Sequence, residues 1–109
     1  MADQSDTPVL DLLASMTADS LEASSLDPQA IALVRIAALV AVDAPPASYL
    51  ANLALAGKLD VDADQVRGVL AAVAPIVGTT RVVSATGNIV RALGLALEIA
   101  ELDEAPAGA

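Results

Sequence analysis

Residues 62–102 constrain the chain most, because they read as two long helices joined at a single glycine. Asp62 is a good N-cap, and Gln65 three residues on completes a capping box. Asp64 adds negative charge in the first turn, where the helix dipole favours it. Leu70, Val73 and Val77 follow at helical spacing, with Val66, Val69 and Ile76 beside them. Pro75 has no N–H to donate, which predicts a bent or 3₁₀ last turn. Gly78 is the natural stop, since it reaches positive φ without a Cβ penalty. Thr79 or Thr80 is then expected to cap the next helix.

That second helix, residues 81–102, carries two apolar stripes. Val82, Ala85, Ile89, Leu93, Ala96 and Ala100 form one; Val83, Gly87, Val90, Gly94 and Leu97 form the other. A helix apolar nearly all round needs cover on most sides. Gly87 and Gly94 share a face, and each costs about 1 kcal/mol relative to Ala. Two readings stand: close approach of a packed neighbour's backbone, or tolerance on a partly exposed face.

One hundred and nine residues make one domain by length. The chain is 56% apolar, yet it has no Phe or Trp and Tyr49 is its single aromatic residue. The core must therefore be built from Ala, Val, Leu and Ile, which suits closely packed helices. So short a chain cannot cover helices apolar on two faces. Self-association is the simplest cover. A membrane span needs roughly 20 apolar residues, and the longest charge-free run, residues 44–57, falls short and opens on prolines. The polar, acidic N-terminus does not read as a signal peptide. A cytoplasmic location follows as an expectation. The net charge of −9 argues against nucleic acid and against anionic membrane surfaces. With no Cys and no His, the chain lacks a thiolate, a zinc–sulfur site and the commonest general base. No cofactor and no metal are expected.

Upstream, residues 1–26 read as an N-terminal segment with one short helix, capped at Asp6 or Thr7 and opened by Pro8. Residues 17–25 fit a short helical turn or a loop, with Leu21 and Leu26 as anchors. Asp27-Pro28 starts a helix that runs to about Val42, with Arg35 its one charge. Asp43 and Pro45-Pro46 break the chain and begin a helix to about Gly57, whose inner face is Leu50, Leu53 and Ala54. Residues 27–102 form the helical domain, fraying by about Leu102, and residues 103–109 read as a disordered tail.

The run Leu33-Val-Arg-Ile-Ala-Ala-Leu-Val-Ala-Val42, the break, the helix to Gly57, the capped helix from Asp62, and Ala74-Pro-Ile-Val-Gly-Thr-Thr-Arg81 together resemble the carboxymuconolactone decarboxylase family, which includes alkylhydroperoxidase D-like proteins. The resemblance covers roughly residues 28–100. It implies an all-α, alkylhydroperoxidase D-like bundle of about five to six helices that assembles as a homotrimer or homohexamer. The family's redox branch uses Cys-x-x-Cys-x-x-x-His after the break, with a Glu on the preceding helix. Those positions fall here on Pro45, Ser48 and Asn52, and no acidic residue lies within residues 28–42. A serine hydroxyl cannot replace a thiolate that cycles through a disulfide. The decarboxylase branch is expected to use a His on the same helix, which this chain lacks.

What remains at that place is Ser48 and Asn52, one turn apart, with Tyr49 beside them and Arg35 on the preceding helix. These four could line a small polar pocket for an organic acid, helped by free N–H groups at Ala47 and Ser48. The structural reading is the stronger: Ser48 capping or facing solvent, Asn52 bonding a carbonyl, Tyr49 filling core with its hydroxyl at the edge, Arg35 paired to an acid of a neighbouring protomer or helix. Two functions follow. One is a non-redox, non-catalytic oligomer with a structural or organic-acid-binding role. The other is an enzyme acting on a lactone or small organic acid with non-standard residues.

Overall fold

The structure, a computed structural model, describes residues 6–104, with side chains through residue 94. Regular structure among the described residues is all helical: α1 (Pro8–Ala23), α2 (Pro28–Ala41), α3 (Pro46–Lys58), α4 (Ala63–Val77) and α5 (Thr79–Glu104). Residues 1–5 of the N-terminal segment and residues 105–109 of the expected 103–109 tail lie outside the described residues.

α2 is the centre, packing on α3, α4 and α5, while α3 packs along α5. Asp27 caps α2 by accepting from the Ala30 N–H at 2.9 Å, with Pro28 at the first helical position. Ile31, Ala32, Ile36 and Val40 recur on its buried face. Val40 joins Ala44, Tyr49, Ala85, Ile89 and Ala92 in one core cluster. Ala32 and Ile36 join Ala56 and Val61 in a second, and Leu53 and Val66 pack against both. Small side chains at Ala32, Ala44, Ala56, Ala85 and Ala92 let the helices sit close, as a core without Phe or Trp requires.

α2 and α3 end in the same way. After α2, Asp43 N–H donates to Val40 and Ala44 N–H to Leu39; after α3, Asp60 N–H donates to Gly57 and Val61 N–H to Ala56. These are two Schellman motifs. Asp43 and Asp60 take the left-handed position, at φ 55° and 62°, where Gly is the usual residue. Asp tolerates it better than most side chains. The following residue, Ala44 or Val61, is buried against the core and seals each end.

The capping box of α4 forms as its sequence predicts, with Gln65 N–H to Asp62 at 2.8 Å and Asp62 N–H to the Gln65 side chain at 3.0 Å. Other expectations are corrected. α4 stays α-helical through Pro75 to Val77, so its last turn is not 3₁₀. Neither Thr79 nor Thr80 is the cap of α5: the helix starts at Thr79, and the Gly78 carbonyl accepts from Val82 N–H at 3.2 Å. α5 continues past Leu102 to Glu104. α1 absorbs residues 17–23 and is no short helix, and Leu21 and Leu26 are exposed and anchor nothing. Ala54 faces outward, while Tyr49 and Ala56 supply the buried face of α3.

Of the two α5 stripes, Ala85 and Ile89 are buried but Leu93, Val83 and Val90 face solvent. The stripe positions Ala96, Leu97 and Ala100 lie outside the described side chains. No neighbouring backbone approaches Gly87 or Gly94. A Cβ on Gly94 would meet nothing within 4 Å, and one on Gly87 would meet only the Arg91 guanidinium, at 3.5 Å. The close approach expected there is absent within the protomer.

Among the described residues, many large apolar side chains stay exposed. α1 buries none of its residues, and Val9, Leu10, Leu12, Leu13 and Met16 are each at least half exposed.

Candidate functional site

The break between α2 and α3 is held by one face of α5. Arg81, Ser84 and Asn88 stand at i, i+3 and i+7, which places them on one side of the helix. Arg81 donates from Nη1 to the Ala41 carbonyl, Ser84 from Oγ to Asp43 Oδ1 at 2.6 Å, and Asn88 from Nδ2 to the Ala44 carbonyl at 3.1 Å. Arg81 thus satisfies a C-terminal carbonyl of α2, where a cation also suits the dipole. The break is therefore fastened by the chain's own side chains. In the sequence Arg81 stands out only as the end of the turn motif and Ser84 and Asn88 not at all, although the spacing of the three on one helix face was the available signal.

The four candidate residues do not converge. Tyr49 is completely buried in the α2–α3–α5 core, in one cluster with Val40 and Ile89. Its hydroxyl lies inside rather than at the edge, with no hydrogen-bond partner among the described residues. Burial, and next the Asp43 carboxylate, push the phenol pKa above its ordinary value near 10.0, so it stays protonated at neutral pH. Ser48 is half-buried, and its N–H donates to the Pro45 carbonyl at 3.1 Å. That donor is consumed locally, against the expectation of a free N–H. Asn52 donates to the Ser48 carbonyl one turn back, at 2.9 Å.

Arg35 turns away from the α3 N-terminus. Its Nη2 reaches the Thr17 carbonyl at 3.4 Å and Ser20 Oγ at 3.2 Å, so it tethers α1 instead of pairing with an acid. Arg35 and Asn52 do meet in one shallow hollow of about 290 Å³ beneath α1, walled by Leu13, Met16, Thr17 and Ser20. Ser48 and Tyr49 are not part of its wall.

A larger cleft of about 490 Å³ opens between α3, α4 and α5. Leu53, Val66, Leu70, Ile89, Val90 and Leu93 give it an apolar lining, with Asp62, Arg67 and Thr86 as its polar members. Asp62 is occupied by the capping box, and Thr86 donates to the Val82 carbonyl of its own helix at 2.9 Å. Among the described residues, no group of acids is arranged to hold a metal ion, and no helix is long and apolar enough to cross a membrane.

The chain matches none of the family models, curated proteins and solved structures with which it was compared. The carboxymuconolactone decarboxylase resemblance rests on the helical register and the Pro75–Gly78–Arg81 turn alone.

Proposed function

We propose that this chain is a non-redox, non-catalytic, self-associating helical protein of the carboxymuconolactone decarboxylase-like type. It acts as a homotrimer, or a homohexamer of two such rings, with a structural role or a role in holding a small organic acid. One observation carries this reading: α1 and α5 leave large apolar side chains in water, from Val9 to Met16 and at Val83, Val90 and Leu93, on a chain too short to cover them. The acid would sit in the hollow where Arg35 supplies a guanidinium and Asn52 an amide. The enzymatic alternative, built on Ser48, Tyr49, Asn52 or Arg35, loses one of these groups, because Tyr49 is buried in the core.

Light scattering at micromolar concentration tests the assembly. Three or six times 10.9 kDa is the expected mass. A mass of one chain would overturn the proposal.

A further inference from the structure

We propose that the hollow beneath α1 takes a short aliphatic monocarboxylate, and that Leu13 and Met16 of α1 select it. This rests on the organic-acid role proposed above and names the class of acid and the residues that choose it. Arg35 from α2 and Asn52 from α3 line one side of the hollow, and its other lining residues, Leu13, Met16, Thr17 and Ser20, all belong to α1. Among the described residues that line it, Arg35 alone is charged. Both of its bonds to α1 leave from Nη2, at 3.4 and 3.2 Å, at or beyond the long end of hydrogen-bond distances. A guanidinium has five donors in a planar fork, so its other N–H groups can meet a carboxylate. Ser20 Oγ accepts from Arg35 and keeps its own O–H to donate.

One cation neutralises one carboxylate. A second acid group would lie against an apolar wall without a partner, on a chain of net charge −9. The rest of the ligand is therefore apolar. Leu13 and Met16, three residues apart on one face of α1, are 50% and 56% exposed, so methylenes laid against them leave water together with both side chains. The volume of about 290 Å³ lies at the lower end of ligand sites and suits an acid on the order of three to six carbons. The same wall makes α1 responsive to the ligand. α1 buries none of its residues, and Arg35 ties it down at Thr17 and Ser20. A ligand that joins Arg35 to Leu13 and Met16 adds a second tie, so binding should hold α1 in place.

Calorimetry on the full-length chain with propionate, butyrate, pentanoate and succinate tests the selection. Affinity should rise from propionate to pentanoate by about twofold to fourfold per added methylene. Succinate, with the carbon number of butyrate and a second carboxylate, should bind at least about tenfold more weakly than butyrate. Saturating pentanoate should slow amide hydrogen exchange in α1 on the order of threefold or more. Leu13→Gln with Met16→Gln alters two exposed positions, so the helical circular dichroism should persist while the chain-length dependence flattens. Arg35→Met should weaken all the acids alike. A chain-length dependence that survives the double substitution, succinate binding as tightly as butyrate, or α1 exchange unchanged by bound pentanoate would each overturn selection by α1. Weakening by Arg35→Met would in those cases still keep the acid in the hollow. No heat from any of the acids at millimolar concentration would overturn the selection and the acid-binding role together.

Discussion

Ser84 Oγ donates to Asp43 Oδ1 at 2.6 Å across the α2–α3 break. The residues are 41 apart in sequence, and the contact fixes α5 against the end of α2. Asp43 also holds the left-handed position of the Schellman motif, so one residue both shapes the turn and ties it down. Ser84→Ala should destabilise by about 0.5–1.5 kcal/mol. Asp43→Ala should cost more, because Ala adopts positive φ poorly. In a double-mutant cycle followed by urea denaturation, the two effects should couple. Strict additivity would mean that the bond contributes nothing.

Asp60 occupies the same conformation after α3 without a tertiary bond of this kind among the described residues, and it is exposed. Asp60→Gly should therefore stabilise by up to about 1 kcal/mol, since Gly relieves a left-handed penalty of that order. Asp43→Gly should gain less or lose, because it gives up Ser84. Equal denaturant midpoints for the two variants would remove the distinction.

The Tyr49 hydroxyl is buried without a partner. Tyr49→Phe removes that unpaired group and leaves the ring, so stability should hold or rise, by up to about 1–3 kcal/mol. The pH dependence follows from the raised phenol pKa. The folded state keeps a proton that the unfolded chain releases near pH 10. The stabilisation is thus complete below that pH and is lost as pH rises through the folded value. Because Tyr49 is the single aromatic residue, ultraviolet difference absorbance follows its ionisation directly. The phenol should titrate later in folded than in unfolded protein, and Tyr49→Phe should flatten the alkaline loss of stability.

Two glycines should respond in opposite ways to alanine. Gly78 sits at φ 89° and ψ 160°, a region nearly closed to other residues. Gly78→Ala should cost about 1–3 kcal/mol. Gly94 is helical and exposed with open space around it, so Gly94→Ala should stabilise by up to about 1 kcal/mol. Thermal or denaturant midpoints decide both. A destabilising Gly94→Ala would locate a neighbouring copy's backbone against that face.

Arg35 and Asn52 can be tested together. Calorimetry with a panel of small carboxylic acids should find binding that Arg35→Met and Asn52→Leu both weaken, since both residues line the hollow. Binding unchanged by the two substitutions would move the acid to another place. No heat at millimolar concentration would leave the structural role alone.

The sequence by itself determined the helices and most of their limits. Asp27-Pro28, Asp62 with Gln65, and Gly78 are local signals whose partners lie within four residues, so they act the same way in any context. The absence of Phe and Trp likewise fixed a core of aliphatic side chains around the single aromatic residue, Tyr49. Tertiary structure alone decided which faces meet. The stripes of α5 are equally apolar on paper, but only the side that meets Tyr49 and Val40 is buried, and Val83 and Val90 are left in water. The candidate pocket divided for the same reason. Tyr49 and Asn52 are three residues apart on α3 and point in different directions, one into the α5 contact and one toward α1. Arg35 chose the Thr17 carbonyl and Ser20 hydroxyl over the α3 N-terminus because α1 brings those oxygens within reach. The Arg81–Ser84–Asn88 clamp joins residues about 40 apart, a pairing set by helix packing and invisible in any local window.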